Sequence, residues 1–158
     1  MAEQGGSPPA GQGGGAAAAP PSAVVAVVLW AGRVLMIQRG PGVARAGYWS
    51  PPSGRVEAGE RQPDAVVREV QEEVGLAVRA GAKVWECDTD DGGFRLHWWT
   101  ATPTGPGEQL VCDPREVSAA RWIRPEEFST LQPTFAAHRH FFTVVLPELL
   151  RSGWAGQP

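Results

Sequence analysis

Glu69, Glu72 and Glu73, with Arg68 beside them, are the residues of this chain most able to do chemistry together. They stand in the stretch GRVEAGERQPDAVVREVQEEVGL, Gly54 to Leu76. On a helix, at about 100° per residue, the three glutamates project within an arc of roughly 100°. Carboxylates that close repel, and a like-charged i,i+4 pair costs an isolated helix a few tenths of a kcal/mol. The spacing therefore calls for a compensating cation. Hard divalent cations such as Mg²⁺ take oxygen ligands and join protein carboxylates to phosphate oxygens and water. A cluster of this kind beside a glycine-rich segment suits a diphosphate. The competing reading is an acidic, solvated helix face that does no chemistry.

The elements that would position these groups are marked in the sequence. Pro63 suits the first turn of a helix, where its missing N–H has no partner to lose, and Asp64 complements the positive end of the dipole. The helix is expected to start near residue 62 and to close at Gly75, which can take the left-handed conformation that ends helices. Val66, Val70 and Val74 form an apolar stripe beside the acids. Before this helix, AVVAVVLW and VLMIQR read as a hairpin turned at Ala31-Gly32-Arg33, and the unbroken apolar character of the first strand predicts cover on both faces. Residues 40–53 hold enough Gly and Pro to be a loop. After the helix, Ala77–Cys87 and Phe94–Ala101 read as a second hairpin, and Val117–Ile123 as a returning strand. RPEEFSTL begins a short helix, and Phe135–Leu150 reads as a helix that Pro147 kinks or restarts. Trp122 is expected to be structural, on a strand heading into the core.

Gly54, five residues, Glu60, seven residues, then Arg68-Glu69, Glu72-Glu73 and Gly75 match the whole of the Nudix box. The sequence thus resembles a Nudix hydrolase over roughly residues 23–150. The resemblance implies an α/β fold, an α/β/α sandwich around a central mixed sheet. It implies that Glu69, Glu72 and Glu73 bind Mg²⁺ or Mn²⁺ together with a backbone carbonyl of Ser53 or Gly54. Glu60 and Arg68 would form an ion pair that steadies the loop and orients Glu69. Ser53 and Pro51 depart from the family's usual glycine and large apolar residue, which bears on the geometry of that carbonyl. The family often takes a general base from a loop glutamate, and Glu116 is preferred here over Glu108.

The implied reaction is metal-assisted hydrolysis of a diphosphate linkage between a nucleoside and another group, by water and without a covalent nucleophile. The runner-up is a sanitising hydrolase of oxidised nucleoside triphosphates. A reading of another class is a non-catalytic nucleotide-sensing or protein-binding module, although no box carboxylate is missing. Gly92 and Gly93 occupy the region where the subgroups for ADP-ribose and for diadenosine polyphosphates would carry proline or tyrosine. Tyr48, Trp49, Phe94, Trp98 and Trp99 are candidates to stack on a base, most of them expected in the core. Strand alternation sets Phe94, Leu96 and Trp98 against Arg95, His97 and Trp99. His138 and His140 are expected at the surface, not as metal ligands.

Composition bounds these readings. The chain has 158 residues, 42% apolar and 20% charged, with a formal net charge of -3. That fits one domain and gives no electrostatic reason to expect duplex nucleic acid or an anionic membrane as a partner; a small nucleotide fits. No apolar run is long enough to span a bilayer. Cys87 and Cys112 have no metal-ligand spacing and are expected as reduced thiols of a cytoplasmic protein. A homodimer stays open. Residues 1–22, rich in Gly, Pro and Ala, are expected to be a disordered leader, and residues 151–158 a frayed tail.

Overall fold

The computed structural model describes residues 18–153. Its strands are β1 (Ser22–Trp30), β2 (Arg33–Arg39), β3 (Trp49–Ser50), β4 (Ser53–Arg55), β5 (Val78–Asp88), β6 (Arg95–Pro103) and β7 (Val117–Ile123). Helix α1 (Gln62–Val74) lies between β4 and β5. A 3₁₀ turn over Pro125–Thr130 follows β7 and leads to α2 (Ala136–His140), a π-turn over Phe141–Val145, and α3 (Leu146–Arg151).

The sheet runs β3-β2-β1-β6-β5, with β4 added to β1 and β7 to β2. It is mixed: β1 and β6 are parallel, and the other pairings are antiparallel. The expected β1–β2 hairpin is present, but the two strands stay paired only at Leu29↔Val34 and Trp30↔Arg33. Beyond that they part. β1 then pairs with β4 through Ala23, Val24 and Val25, whereas β2 pairs with β3 and β7. Val25 and Ile37, on the diverging strands, both line one cavity. The fork in the hairpin is thus what opens the site.

Both faces of β1 are covered, as its apolar run implies. Val24, Ala26 and Val28 pack with Val66, Val70 and Val74 of α1. Val25 and Val27 pack with Trp98, Phe141, Phe142 and Leu146 on the opposite face. The helices on the two sides make an α/β/α sandwich. Trp98 is fully buried and stacks on Phe141 at 4.3 Å between ring centroids. The alternation along β6 holds, since Leu96 and Trp98 join this cluster while Trp99 and Ala101 join the one under α1.

Several boundaries differ from expectation. Ser22 opens β1, and the Pro21 carbonyl accepts a bond from the Arg95 N–H at 2.9 Å, because the parallel pairing with β6 extends that far. Residues 1–17 of the expected leader, and 154–158 of the expected tail, lie outside the described residues; Arg151 still belongs to α3. The loop over residues 40–53 contains the short strand β3 and runs into β4 at Ser53. The C-terminal helix is interrupted by a π-turn just before Pro147, whose ring cannot sit against the carbonyl four residues earlier; the Leu146 N–H bonds the Phe141 carbonyl instead. Trp122 is half-buried rather than central: its ring lies 5.4 Å from that of Trp30, and its indole N–H donates to the Gly107 carbonyl at 2.8 Å. Among the described residues no helix is long and apolar enough to cross a membrane.

Candidate functional site

Helix α1 begins at Gln62 and is closed by Gly75 at φ 66°, whose N–H donates to the Gln71 carbonyl. Its Val66, Val70 and Val74 are fully buried, and this docking fixes how the acidic side is turned. Glu69 and Glu73 are buried, whereas Glu72 stays largely exposed. All three line one cavity of about 970 Å³, together with Ser53, Gly54, Arg68 and Glu116.

Arg68 organises the acids around it. Its Nε donates to Glu60 Oε2 at 2.7 Å and its Nη2 to Glu60 Oε1 at 2.9 Å, a two-pronged pair. Nη2 also donates to the Arg55 carbonyl at 2.9 Å, which ties the preceding loop to the helix. Nη1 reaches Glu69 Oε1 at 2.8 Å and Glu72 Oε2 at 3.3 Å. The Glu60–Arg68 pair expected from the sequence is therefore present, and it extends to Glu69. The hydrogen bonds from Arg68 hold the Glu60 carboxyl down at about 2. Glu69 moves the other way: burial outweighs the bond from Arg68 and pushes its carboxyl up to about 6.

Glu73 is the acid that Arg68 leaves alone. Its Oε2 is buried and has no hydrogen-bond partner. Desolvation first, and then the charges of Glu69 and Glu116, raise its carboxyl well above the usual range. Gly54 explains how the acids fit so tightly, since a Cβ there would lie 2.0–2.3 Å from the Glu69 carboxyl atoms. A side chain at this position would force the carboxyl end of Glu69 to move.

As the side chains stand, no three His, Cys, Asp or Glu groups converge as a ligand set among the described residues, because Glu69 and Glu72 are both drawn to Arg68. The donor chemistry still fits a hard cation. Every acid at this end offers oxygen, and Glu73 Oε2 is a desolvated acceptor without a partner.

Of the two loop acids, Glu116 lines the cavity and Glu108 does not; Glu108 is exposed. Of the aromatic candidates, Phe94 lines it. Trp49 and Trp98 are buried in the core, Tyr48 packs on Phe135 at 5.0 Å, and Trp99 donates to Gln62 Oε1 at 2.9 Å on the α1 side.

His138 is a correction to the surface position expected for it. It is buried between Phe135 and Trp98, lines the cavity, and has no partner at either ring nitrogen. Burial, with the Arg39 charge adding to it, lowers its imidazole to about 3. Docking of the C-terminal segment on Trp98, which no local pattern reveals, carries it inward. His140 is exposed as expected and lies beside Trp85.

Arg39 and Phe135 are cavity residues that the sequence reading missed. Arg39 is half-buried, its Nε donates to the Ala44 carbonyl at 2.6 Å, and burial lowers its guanidinium while Glu73 and Glu116 raise it. As the polar end of an apolar strand it gave no signal in the sequence. The cavity therefore has an acidic end on α1 and a wall of Val25, Ile37, Phe94, Leu96 and Phe135, with Arg39 also lining it.

A mixed sheet thus lies between helical layers, and a carboxylate-bearing helix lines a cleft between parting strands. The NUDIX domain family model matches residues 19–145, and the chain belongs to that family. It is a hydrolase acting on phosphorus-containing anhydride bonds. Among relatives, it is 32% identical over 104 residues to the CTP pyrophosphohydrolase of Escherichia coli (strain K12), covering 65% of this chain and 74% of that protein. It is 31% identical over 77 residues, 49% of this chain and 50% of the other, to a Bacillus subtilis (strain 168) protein provisionally named as an 8-oxo-dGTP diphosphatase. Among solved structures, a MutT NUDIX hydrolase from Burkholderia pseudomallei superimposes with a TM-score of 0.64 at 27% identity, over 78% of this chain and 95% of that one. Members of this family generally use divalent metals and act on small nucleotides.

Proposed function

We propose that this chain is a divalent-metal-dependent pyrophosphohydrolase that cleaves the diphosphate linkage of a nucleoside diphosphate joined to a further group. The observation that carries the reading is Glu73, a buried carboxylate with an unpartnered oxygen in the cavity shared by Glu69, Glu72 and Glu116. Burying an acid with an unbonded oxygen costs free energy, and acids perturbed this way in a cleft cluster at functional sites. Glu69, Glu72 and Glu73, with the carbonyl of Ser53 or Gly54, would hold Mg²⁺ or Mn²⁺. Such an ion supplies, when bound, Lewis-acid polarisation of a phosphoryl oxygen and a lowered pKa for water.

The side chains divide the remaining work. A carboxylate oxygen of Glu116 takes the proton of the attacking water, which needs no covalent enzyme intermediate. Arg68 keeps the acidic helix turn tied to Glu60 and the Arg55 carbonyl. Arg39 offers the cavity a guanidinium for phosphate oxygens, and the apolar wall with Phe94 and Phe135 receives the nucleoside.

Nucleoside triphosphates, oxidised or not, are the second reading, favoured by the names of the E. coli and B. subtilis relatives. A panel of CTP and other nucleoside triphosphates, 8-oxo-dGTP, dinucleoside polyphosphates and nucleotide sugars, each with Mg²⁺, tests both. Release of a nucleoside monophosphate supports the proposal, and the best substrate decides between the readings. Nucleotide binding without any product across the panel would instead support the non-catalytic module.

A further inference from the structure

Glu116 sits on residues 110–116, a segment without a helix or strand of its own, yet the backbone there is tied on two sides. One side is the C-terminal end of α1, whose last carbonyls lack partners within the helix. The Val111 N–H donates to the Val74 carbonyl at 2.8 Å, and the Asp113 N–H to the carbonyl of Glu73 itself at 3.1 Å. The other side is the loop after β2. There the Gly40 N–H donates to the Glu116 carbonyl at 2.7 Å and the Gly42 N–H to the Arg115 carbonyl at 2.8 Å. Asp113 also builds the turn between these ties: its carbonyl accepts from the N–H groups of Glu116 and Val117, and its Oδ1 from that of Arg115 at 3.0 Å.

The two glycines leave no room. A Cβ on Gly40 would lie 2.6 Å from the Arg115 carbonyl oxygen, 2.8 Å from the Glu116 carbonyl carbon and 2.9 Å from the Val117 nitrogen. On Gly42 it would lie 2.9 Å from the Arg115 carbonyl oxygen. The atoms crowded at Gly40 are all backbone and cannot swing aside. Neither residue lies in the left-handed region, so the demand is for space and not for an unusual φ.

We propose that Gly40, Gly42 and Asp113 are positioning residues that hold Glu116 in register with the helix turn carrying Glu72 and Glu73. Proton transfer requires hydrogen-bond reach, and a displacement of about 1 Å can cost roughly 10²-fold in rate. The inference rests on the reading of Glu116 as the base of the hydrolysis.

The test measures kcat and KM with Mg²⁺ on the panel nucleotide that the parent cleaves fastest. Gly40→Ala, Gly42→Ala, Asp113→Ala and Asp113→Asn are each made alone and combined with Glu116→Gln. Gly40→Ala is expected to lower kcat by about 10²-fold with KM within about twofold, and Gly42→Ala by less. Asp113→Asn keeps the Oδ1 acceptor and should retain most activity where Asp113→Ala loses about tenfold. Combined with Glu116→Gln, none should cost anything more. Parent-like kcat in Gly40→Ala and Asp113→Ala, with Glu116→Gln impaired, overturns the inference and leaves the reading of Glu116 standing. Losses that multiply with that of Glu116→Gln also overturn it, because the residues would then act elsewhere. Parent-like activity of Glu116→Gln removes the reading and the inference with it. Should Gly40→Ala fail to fold, Gly42→Ala and the Asp113 pair decide on the same criteria.

Discussion

Two charged clusters of this molecule use similar residues to opposite ends. On β5 and β6, Lys83 pairs with Glu86, and Arg95 bonds both Glu86 at 2.8 Å and Asp88 at 2.5 Å. These groups sit in or near water, each acid has a basic partner, and the bonds from Lys83 and Arg95 hold the Glu86 carboxyl down at about 2. Along α1, Arg68 pairs with Glu60, Glu69 and Glu72, but Glu73 is buried with an oxygen that nothing bonds. Counting ion pairs does not separate the two. What separates them is desolvation of an acid whose buried oxygen the protein leaves without a hydrogen bond.

The largest effect expected from this difference is in turnover of Glu73→Gln. The change keeps shape and removes charge, so kcat should fall by roughly 10² or more, the scale of a lost transition-state electrostatic group. Thermal stability without added metal should hold or rise, because a buried acid that is unfavourable beside Glu69 and Glu116 is gone. Mg²⁺ should raise the melting temperature of the parent more than that of the variant, since a ligand bound only by the folded state stabilises it. Equal turnover in both proteins would make Glu73 an inert buried acid and erase the contrast with the edge network.

Gly54→Ala comes next. The new Cβ meets the Glu69 carboxyl, which cannot retreat without leaving Arg68. Overpacking of this kind costs about 1–3 kcal/mol, and denaturant unfolding of parent and variant measures it. A variant as stable as the parent would mean that the carboxyl rotates freely and that the crowding at this end is slack.

Legibility in the sequence followed the reach of the contacts involved. The bounds of α1 were readable because Pro63 and Gly75 act on the backbone within one turn, and the doubly covered β1 was readable from its own unbroken apolar run. The box acids were readable from their spacing within the same stretch, and the Glu60–Arg68 pair was implied by the resemblance to the Nudix family. Arg39, Phe135 and His138 were not readable as cavity residues, because what brings them there is the parting of β1 from β2 and the docking of the C-terminal segment on Trp98. Both join residues far apart in the chain. Arg68, inside the same helix, also lies against Glu69 and Glu72, a partner that the spacing of the acids alone did not include.

A smaller effect belongs to His138, another buried group without a partner. Its folded pKa, about 3, lies below the ordinary value of 6.5, so the neutral ring contributes stability that is fully present above pH 6.5 and is lost as pH falls toward 3. The slope approaches about 1.4 kcal/mol per pH unit where the unfolded chain is protonated and the folded one is not. Glu69 and Glu73, with raised carboxyls, pull the other way in part of this range. The difference between parent and His138→Phe isolates the histidine: the variant should gain relative stability steadily from pH 6.5 to 4. Parallel stability curves would show the ring reaching water and would place it with the hydrated groups.

The smallest effect is predicted for Glu86→Gln, on the hydrated side of the comparison. Its folded pKa is depressed, so whatever stability it adds is present above the ordinary carboxylate pKa and is lost as pH falls toward 2. Exposure limits that contribution, because water and salt screen a surface pair and ordering two long side chains offsets much of the attraction. At about 0.15 M salt the melting temperature should move by no more than about 2 °C. A difference that grows at about 0.01 M, where the Debye length is near 30 Å, and vanishes at about 1 M, where it is near 3 Å, identifies a screened surface charge. Turnover should stay at the parent level throughout, since Glu86 does not line the cavity. A salt-independent loss of stability would show that this network is desolvated as the α1 cluster is, and the distinction between the two would have to rest on Glu73 alone.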